Sequence, residues 1–192
     1  MQKIDVFDFD KTLYKKDSTI TFYLYVLAKN KKIIKYFPGQ LLSFFKYKFN
    51  IIDKVTFKER FFIFLRDIDS IDDYISDFWR HNKKHLRLDL LKKSKNKTIV
   101  ISASPEFLLK NICKEMGIDK LIASLVDKKS GLFKSANCYG KEKLVRLNQE
   151  IKKYKIENFF SDSKSDIYLA EKASNSYLVK KSKIIAWCTS HK

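Results

Sequence analysis

The run Thr98-Ile99-Val100-Ile101-Ser102 constrains the fold of this chain more than any other stretch. A strand that faces water on one side alternates apolar and polar residues. A continuous β-branched run suits a strand buried on both faces, as in a parallel sheet covered by helices. A helix signal follows at once: Ser104 suits an N-cap, Pro105 the first helical position and Gly117 the C-terminal stop. Further strands are expected at Ile4 to Phe7, Asn158 to Phe160, Tyr177 to Val179 and Ile184 to Trp187. Helices are expected from about Lys141 to Tyr154 and from near Ser165, and Leu121 to Val126 can pair with Gly131 to Phe133 as a hairpin around Lys128-Lys129-Ser130.

Between the first strand and Thr98 the pattern from Asp17 to Lys92 is helical throughout. Asp17 or Ser18 can cap a helix carrying Phe22, Tyr23, Val26 and Leu27, and Pro38-Gly39 breaks or turns the next one. Asp53 can cap a third helix reaching Arg66, and Ser70-Ile71-Asp72-Asp73 has the form of a capping box opening a fourth. With only four Gly and two Pro in 192 residues, little punctuation competes with helix. The expected architecture is α/β: a doubly wound parallel-sheet core of residues 1–15 and 94–192, with residues 16–93 inserted as an all-helical cap.

Several expected strands end in loops rich in groups that could bind an anion or a metal. Asp8-Phe9-Asp10-Lys11-Thr12 closes the first strand, and alternation along that strand predicts that Asp8 and Asp10 project to one side. Paired carboxylates repel each other unless a divalent cation or a shared proton compensates them. Ser102 to Pro105 places a hydroxyl and backbone N–H groups at a helix start, which suits phosphate. Tyr139-Gly140-Lys141-Glu142-Lys143 offers lysines at another helix start, and Ser161-Asp162-Ser163-Lys164-Ser165-Asp166 adds two carboxylates after a strand. Ligands bind at such strand ends in open parallel sheets. Magnesium takes hard oxygen ligands and only a few from protein, so Asp8, Asp162 and a backbone carbonyl suit it.

In this order the elements resemble the haloacid dehalogenase superfamily of phosphohydrolases, in the branch with a helical cap after the first motif, to which phosphoserine phosphatases belong. The resemblance extends to bacterial phosphatidylglycerophosphatases through Asp8-Phe9-Asp10-Lys11-Thr12-Leu13 with Asp17, Ser104-Pro105, Leu121-Ile122-Ala123-Ser124, Cys138-Tyr139-Gly140-Lys141-Glu142-Lys143 and Ser161 to Asp166. It implies a Rossmann-like core, Asp8 as nucleophile and Asp10 as acid and base. It also implies Ser102 and Lys143 on phosphate, Mg²⁺ held by Asp8, Asp10 and Asp162, and Asp166 orienting that set. Lys143 stands third after Gly140, as in the lipid-phosphatase pattern; phosphoserine-phosphatase alignments can be drawn to favour Lys141. Lys11 occupies a position where the family commonly has Gly.

The net charge of +18 predicts attraction to polyanions. Its distribution is uneven: Lys29 to Phe49 holds six lysines and no acid among many Phe, Tyr, Leu and Ile residues, which suits peripheral contact with an anionic membrane. The alternative is an ordinary cap whose aromatics form their own core. Arg60 is a candidate for a substrate carboxylate or second phosphate. No apolar stretch approaches the ~20 residues needed to cross a bilayer. The start at Met1 lacks a secretory signal pattern, and Cys113, Cys138 and Cys188 read as reduced buried thiols, so a cytoplasmic location is expected. The resemblance implies a phosphomonoesterase, and the basic, aromatic segment favours a lipid phosphate such as phosphatidylglycerophosphate as its substrate. A phosphoserine-phosphatase-like enzyme for small metabolites is the alternative. A basic membrane or nucleic-acid binding module on an inactive scaffold is a third reading, with nucleic acid the less favoured partner; no feature specifies an oligomeric state.

Overall fold

The computed structural model describes residues 1–181 and 183–187. In chain order the elements are β1 (Gln2–Phe7), α1 (Ser18–Lys29), α2 (Phe37–Lys48), α3 (Lys54–Phe62), α4 (Ile71–Asn82), α5 (Leu88–Leu91), β2 (Lys97–Pro105), α6 (Glu106–Glu115), β3 (Lys120–Ser124), α7 (Lys141–Glu150), β4 (Tyr154–Ser161), α8 (Ile167–Ala170), β5 (Ala173–Lys180) and β6 (Lys183–Ala186). One six-stranded sheet runs in the order β3-β2-β1-β4-β5-β6. The first five strands pair in parallel, and β6 closes the edge antiparallel to β5. This is the expected doubly wound Rossmann-like arrangement, and β1 lies at its centre.

Both faces of the sheet are covered, which is why its central strands carry continuous apolar runs. On one face Phe7, Phe160 and Tyr177 stack across β1, β4 and β5 and merge with the aromatic cluster of Phe9, Tyr14 and Trp79. Helices α1, α4 and α6 complete that cluster; the Trp79 indole N–H donates to the Leu108 carbonyl and ties α4 to α6. On the other face Ile4, Val6, Ile99, Ile101 and Phe159 meet Leu147 of α7 and Leu169 of α8. Burying aliphatic and aromatic side chains of this size stabilises by ~1.5–3 kcal/mol each, so these paired layers hold β1 rigid beneath the loop that follows it.

Helices α1 to α5 all fall between β1 and β2, as expected. Asp17, not Ser18, caps α1 by accepting from the Ile20 N–H, and Asp53 caps α3 by accepting from Val55 and Thr56. Four local expectations change. Pro38 stands in the first turn of α2 after a 3₁₀ turn at Lys31–Tyr36, so Pro38-Gly39 opens a helix where a break was expected; Pro lacks only an N–H that the first turn leaves unpaired anyway. Ser70 makes no side-chain cap on α4, and only its carbonyl receives bonds, so the capping box does not form. β2 continues to Pro105, so Ser104 is a strand residue and α6 begins at Glu106. The hairpin shrinks to one bridge, Val126 with Phe133, because Lys120–Ser124 is already paired with β2. Gly131 turns that loop at φ +77°, where a Cβ would lie 2.7 Å from the Phe62 carbonyl oxygen.

Cys113 and Cys138 are buried free thiols, with burial pushing them up to about 12 and about 11. Cys188 lies outside the described residues.

Candidate active site at the carboxyl end of the sheet

β1 ends at Phe7, and the Asp8 N–H donates to the Phe160 carbonyl at 2.8 Å, extending the β1–β4 pairing by one residue. The chain then folds back, with the Thr12 and Tyr14 N–H groups both donating to the Phe9 carbonyl. Lys11 turns this loop at φ +57°. That left-handed conformation is one that Gly adopts more readily than Lys.

The two carboxylates therefore sit in a turn beyond the strand, and each has its own partners. Asp8 is buried; its Oδ1 accepts from Lys143 Nζ at 2.7 Å and its Oδ2 from the Thr12 hydroxyl at 3.4 Å. Asp10 Oδ1 accepts from the Ser18 N–H at 2.6 Å, and its Oδ2 accepts from the Ser104 hydroxyl. Burial pushes Asp8 up to about 7, against the opposing Lys143 charge and helped by Asp166. Burial, aided by the Asp17 charge, pushes Asp10 up to about 6 although Ser104 and Ser18 stabilise its ionised form. Asp8 therefore lies in a site that disfavours its own charge, and Asp10 can hold a proton close to neutral pH.

Lys143 connects three segments. From the first turn of α7 it donates to Asp8 Oδ1 and to Asp166 Oδ2, each at 2.7 Å, and it is only 3% exposed. Burial alone would lower its pKa, but Asp8 and Asp166 hold the ammonium above its ordinary value. Lys141 of the same turn is exposed. Asp166 Oδ2 also accepts from the Ser161 hydroxyl at 2.7 Å, while Asp166 Oδ1 is buried with no partner. Asp162 is partly buried after β4, and desolvation raises its pKa with Lys11 opposing. Ser102 is buried at the end of β2, its Oγ accepting from the Ser104 N–H at 3.1 Å. The structure thus gathers Asp8, Asp10, Ser102, Lys143, Asp162 and Asp166 around the ends of β1, β2 and β4. Arg60 is exposed on α3.

Two residues join the site that the sequence reading had placed elsewhere or passed over. Ser104 is a hub: it bonds Asp10 and meets the Ser18 and Thr19 hydroxyls at 3.2 and 2.9 Å. Lys58, two residues before Arg60, reaches from α3 to the Ala103 carbonyl at 2.7 Å and Asn137 Oδ1 at 3.0 Å. Burial, with the Lys54 charge adding to it, brings Lys58 down to about 8.

Among the described residues no three His, Cys, Asp or Glu side chains converge as a metal cage. Magnesium does not need one, since two carboxylates, a backbone carbonyl, phosphate and water complete its octahedron. The residues present fit such an ion: Asp8 and Asp162 are hard oxygen donors whose burial raises their pKa values, Asp10 in the same loop as Asp8 can offer its backbone carbonyl, and Asp166 Oδ1 is a buried acceptor without a donor.

Residues 6–171 match the family described as haloacid dehalogenase-like hydrolase. The chain belongs to that family. No curated protein sequence matches it. Among solved structures it is similar to a protein of unknown function from Bordetella pertussis Tohama I, with 17% identity, TM-score 0.68 and coverage of 92% of this chain and 89% of that one. It is also similar to a phosphoserine phosphohydrolase-like protein from Francisella tularensis subsp. tularensis SCHU S4, at 18% identity, TM-score 0.53 and coverage of 92% and 86%. A phospho-aspartyl intermediate analogue of phosphoserine phosphatase matches at 15% identity and TM-score 0.55, covering 91% of this chain and 85% of that one. At these identities the likeness establishes the fold.

Proposed function

We propose that this hydrolase is a Mg²⁺-dependent phosphomonoesterase that works through an aspartyl-phosphate on Asp8, with residues 16–93 as a helical cap over a core of residues 1–15 and 94–192. The observation that carries the reading is the division of labour between the two carboxylates: Asp8 is ion-paired to Lys143, while Asp10 is held apart by Ser18 and Ser104 with its pKa near 6. An Asp8 oxygen attacks phosphorus as the ester P–O bond breaks, and the departing oxygen takes its proton from Asp10. Asp10 then takes a proton from water, whose oxygen displaces Asp8 from phosphorus and releases phosphate. Such a positioned acid and base contributes ~10²–10⁴-fold. Lys143 and Ser102 hold phosphate oxygens, and Lys143 offsets charge on the transferring group. The Asp8 and Asp162 carboxylates and the Asp10 backbone carbonyl would hold Mg²⁺, with Asp166 orienting the set; when bound, the ion shields Asp8 from the incoming anion.

A pH profile tests the role of Asp10. The Ser104 hydroxyl stabilises the Asp10 carboxylate, so Ser104→Ala raises the Asp10 pKa, and the limb of kcat/KM that reports Asp10 moves to higher pH by about one unit. A limb that stays in place removes Asp10 from the acid–base role.

For the substrate we favour a lipid phosphate such as phosphatidylglycerophosphate, processed by peripheral contact with an anionic membrane surface. The support is the inverted amphipathicity of α2, which buries Gln40 and Ser43 and exposes Leu42, Phe45 and the following Phe49 at 56%, 49% and 73%. The buried Gln40 amide is bonded at both ends, accepting from Tyr23 Oη at 2.7 Å and donating to the Phe61 carbonyl at 2.8 Å, which favours the orientation with the apolar side of the helix outward. Lys29 and Lys35 are taken up by Asp77 and Asp67, but Lys31, Lys32, Lys46 and Lys48 are unpaired among the described residues and flank the apolar face. Among the described residues no helix is long and apolar enough to cross a membrane.

The phosphoserine phosphatases among the structural neighbours support the second reading, a small-metabolite phosphatase. A phosphate-release panel of lipid phosphates, phosphoserine and sugar phosphates, with and without EDTA and anionic vesicles, separates them. The lipid reading expects vesicle-dependent turnover that Phe45→Ser with Phe49→Ser removes, together with metal dependence. Faster turnover of phosphoserine and indifference to vesicles transfers the assignment to the soluble substrate. No phosphate release from any ester leaves only the binding-module reading.

A further inference from the structure

A cleft of about 700 Å³ opens beside Asp162, on the β5–β6 side of the candidate active site. Its lining comes from four stretches far apart in sequence: Lys11, Lys15 and Lys16 in the loop after β1, Arg87 before α5, Asp162 after β4, and Lys180 and Lys183 at the β5–β6 hairpin. The half-buried Arg87 is seated from both sides. Its backbone N–H donates to the Leu13 carbonyl and its guanidinium to the carbonyl of Lys181, itself part of the lining. Asp162 is the only acid among these lining residues, and among the described residues none of the basic side chains takes part in an ion pair. A second cavity of about 510 Å³ shares Lys15, Arg87 and Lys181 and adds a single acid, Asp89.

Cations brought together from separate segments repel one another and are tolerated where an anion compensates them. Carboxylates elsewhere on the surface pair readily with lysines, as Asp127 does with Lys134 and Glu115 with Lys83, so the near-absence of acid here is local. Since Lys11 and Asp162 border both the cleft and the loops that carry Asp8 and Asp10, an anion in the cleft would belong to the molecule whose phosphate lies at Asp8. We propose that the cleft is a subsite for a second phosphate group of the substrate, which deepens the phosphomonoesterase reading and rests on it: the enzyme selects molecules bearing one terminal phosphomonoester and one further phosphate. The further group is either a diester, as in a phospholipid headgroup, or a second monoester, as in a soluble bisphosphate. Arg87 supplies planar donors and the lysines adaptable point charges.

The test combines turnover and binding. Phosphate release is measured from propyl phosphate, from propane-1,3-diyl bisphosphate and from a glycerophosphodiester carrying a terminal phosphomonoester, in wild type and in Lys15→Gln/Lys180→Gln/Lys183→Gln. These are exposed side chains whose neutralisation leaves the core intact. The selectivity for one or both two-phosphate substrates over propyl phosphate is expected to fall about tenfold; whichever ratio falls further identifies the diester or the monoester as the natural second group. Equal losses on all three mean general electrostatic attraction and overturn the subsite, as do unchanged ratios. Calorimetric titration of the wild type and of the triple variant with propyl phosphate and both two-phosphate compounds, each on an Asp8→Asn background, reads the cleft without catalysis. Binding of the two-phosphate compounds that weakens in the triple variant more than binding of propyl phosphate supports the subsite even if no ester is hydrolysed, and an equal loss or no loss overturns it.

Discussion

Asp8→Asn is expected to abolish phosphate release from every monoester while making the metal-free protein more stable near neutral pH. The amide cannot attack phosphorus, so the loss should reach the background rate and not merely raise KM. The gain in stability follows from burial. Asp8 rises from an ordinary 3.8 to about 7 in the folded chain, because desolvation outweighs the nearby Lys143 charge. The folded state therefore binds this proton more tightly than the unfolded state, and wild-type stability falls as pH climbs from about 4 to about 7. Asn carries no such charge and escapes this loss. Thermal melts in EDTA at pH 4 and pH 8 decide the point: near-equal stability of the two proteins is expected at pH 4, and the variant is expected ahead at pH 8. Mg²⁺ should close the gap at pH 8 by stabilising only the wild type. A catalytically active Asp8→Asn protein would remove Asp8 as nucleophile, and a wild type that gains nothing from Mg²⁺ would remove the metal from the site.

The strand ends were legible in sequence because each is a short apolar run stopped by acids, hydroxyls or lysine, and a doubly wound sheet must bring those ends together. Ser104 was hidden by its own plausibility as a helix cap. Ser-Pro before an apolar periodic stretch satisfies every capping rule, yet pairing of Pro105 with Ser124 extends β2 and frees the hydroxyl for Asp10. Helix phase could have identified Lys58. It lies four residues before the buried Phe62 and hence on the same stripe of α3, whereas Arg60 falls on a different face, and guanidinium chemistry alone had favoured it. The inward-facing polar side of α2 could not be read from composition, since Gln40 is satisfied inside by Tyr23 and the Phe61 carbonyl, and the Ser43 hydroxyl by the Gly39 carbonyl of its own helix.

Lys143→Met should cost both activity and fold, and it should do so in a pH-dependent way that Lys141→Met does not share. Among the described residues Lys143 is the only cation that bonds both Asp8 and Asp166, and all three side chains are buried. Removing one partner of a buried ion pair leaves uncompensated charge and costs ~3–5 kcal/mol. Met fills much of the same volume, so the loss reports charge more than a cavity. At neutral pH the variant should melt well below wild type. Acidification protonates the carboxylates that Lys143 had compensated, so the deficit should shrink as the pH falls toward 5. Lys143→Arg keeps the charge but must fit a planar, longer group between two carboxylates in a closed site, so it should restore part of the stability and little of the turnover. Lys141, exposed on the same turn of α7, serves as the control for lysine loss as such. Assays run below the melting temperature of each variant separate a missing phosphate ligand from a missing fold. Wild-type turnover in a folded Lys143→Met protein, or an equal loss in Lys141→Met, would take the phosphate-binding role away from Lys143.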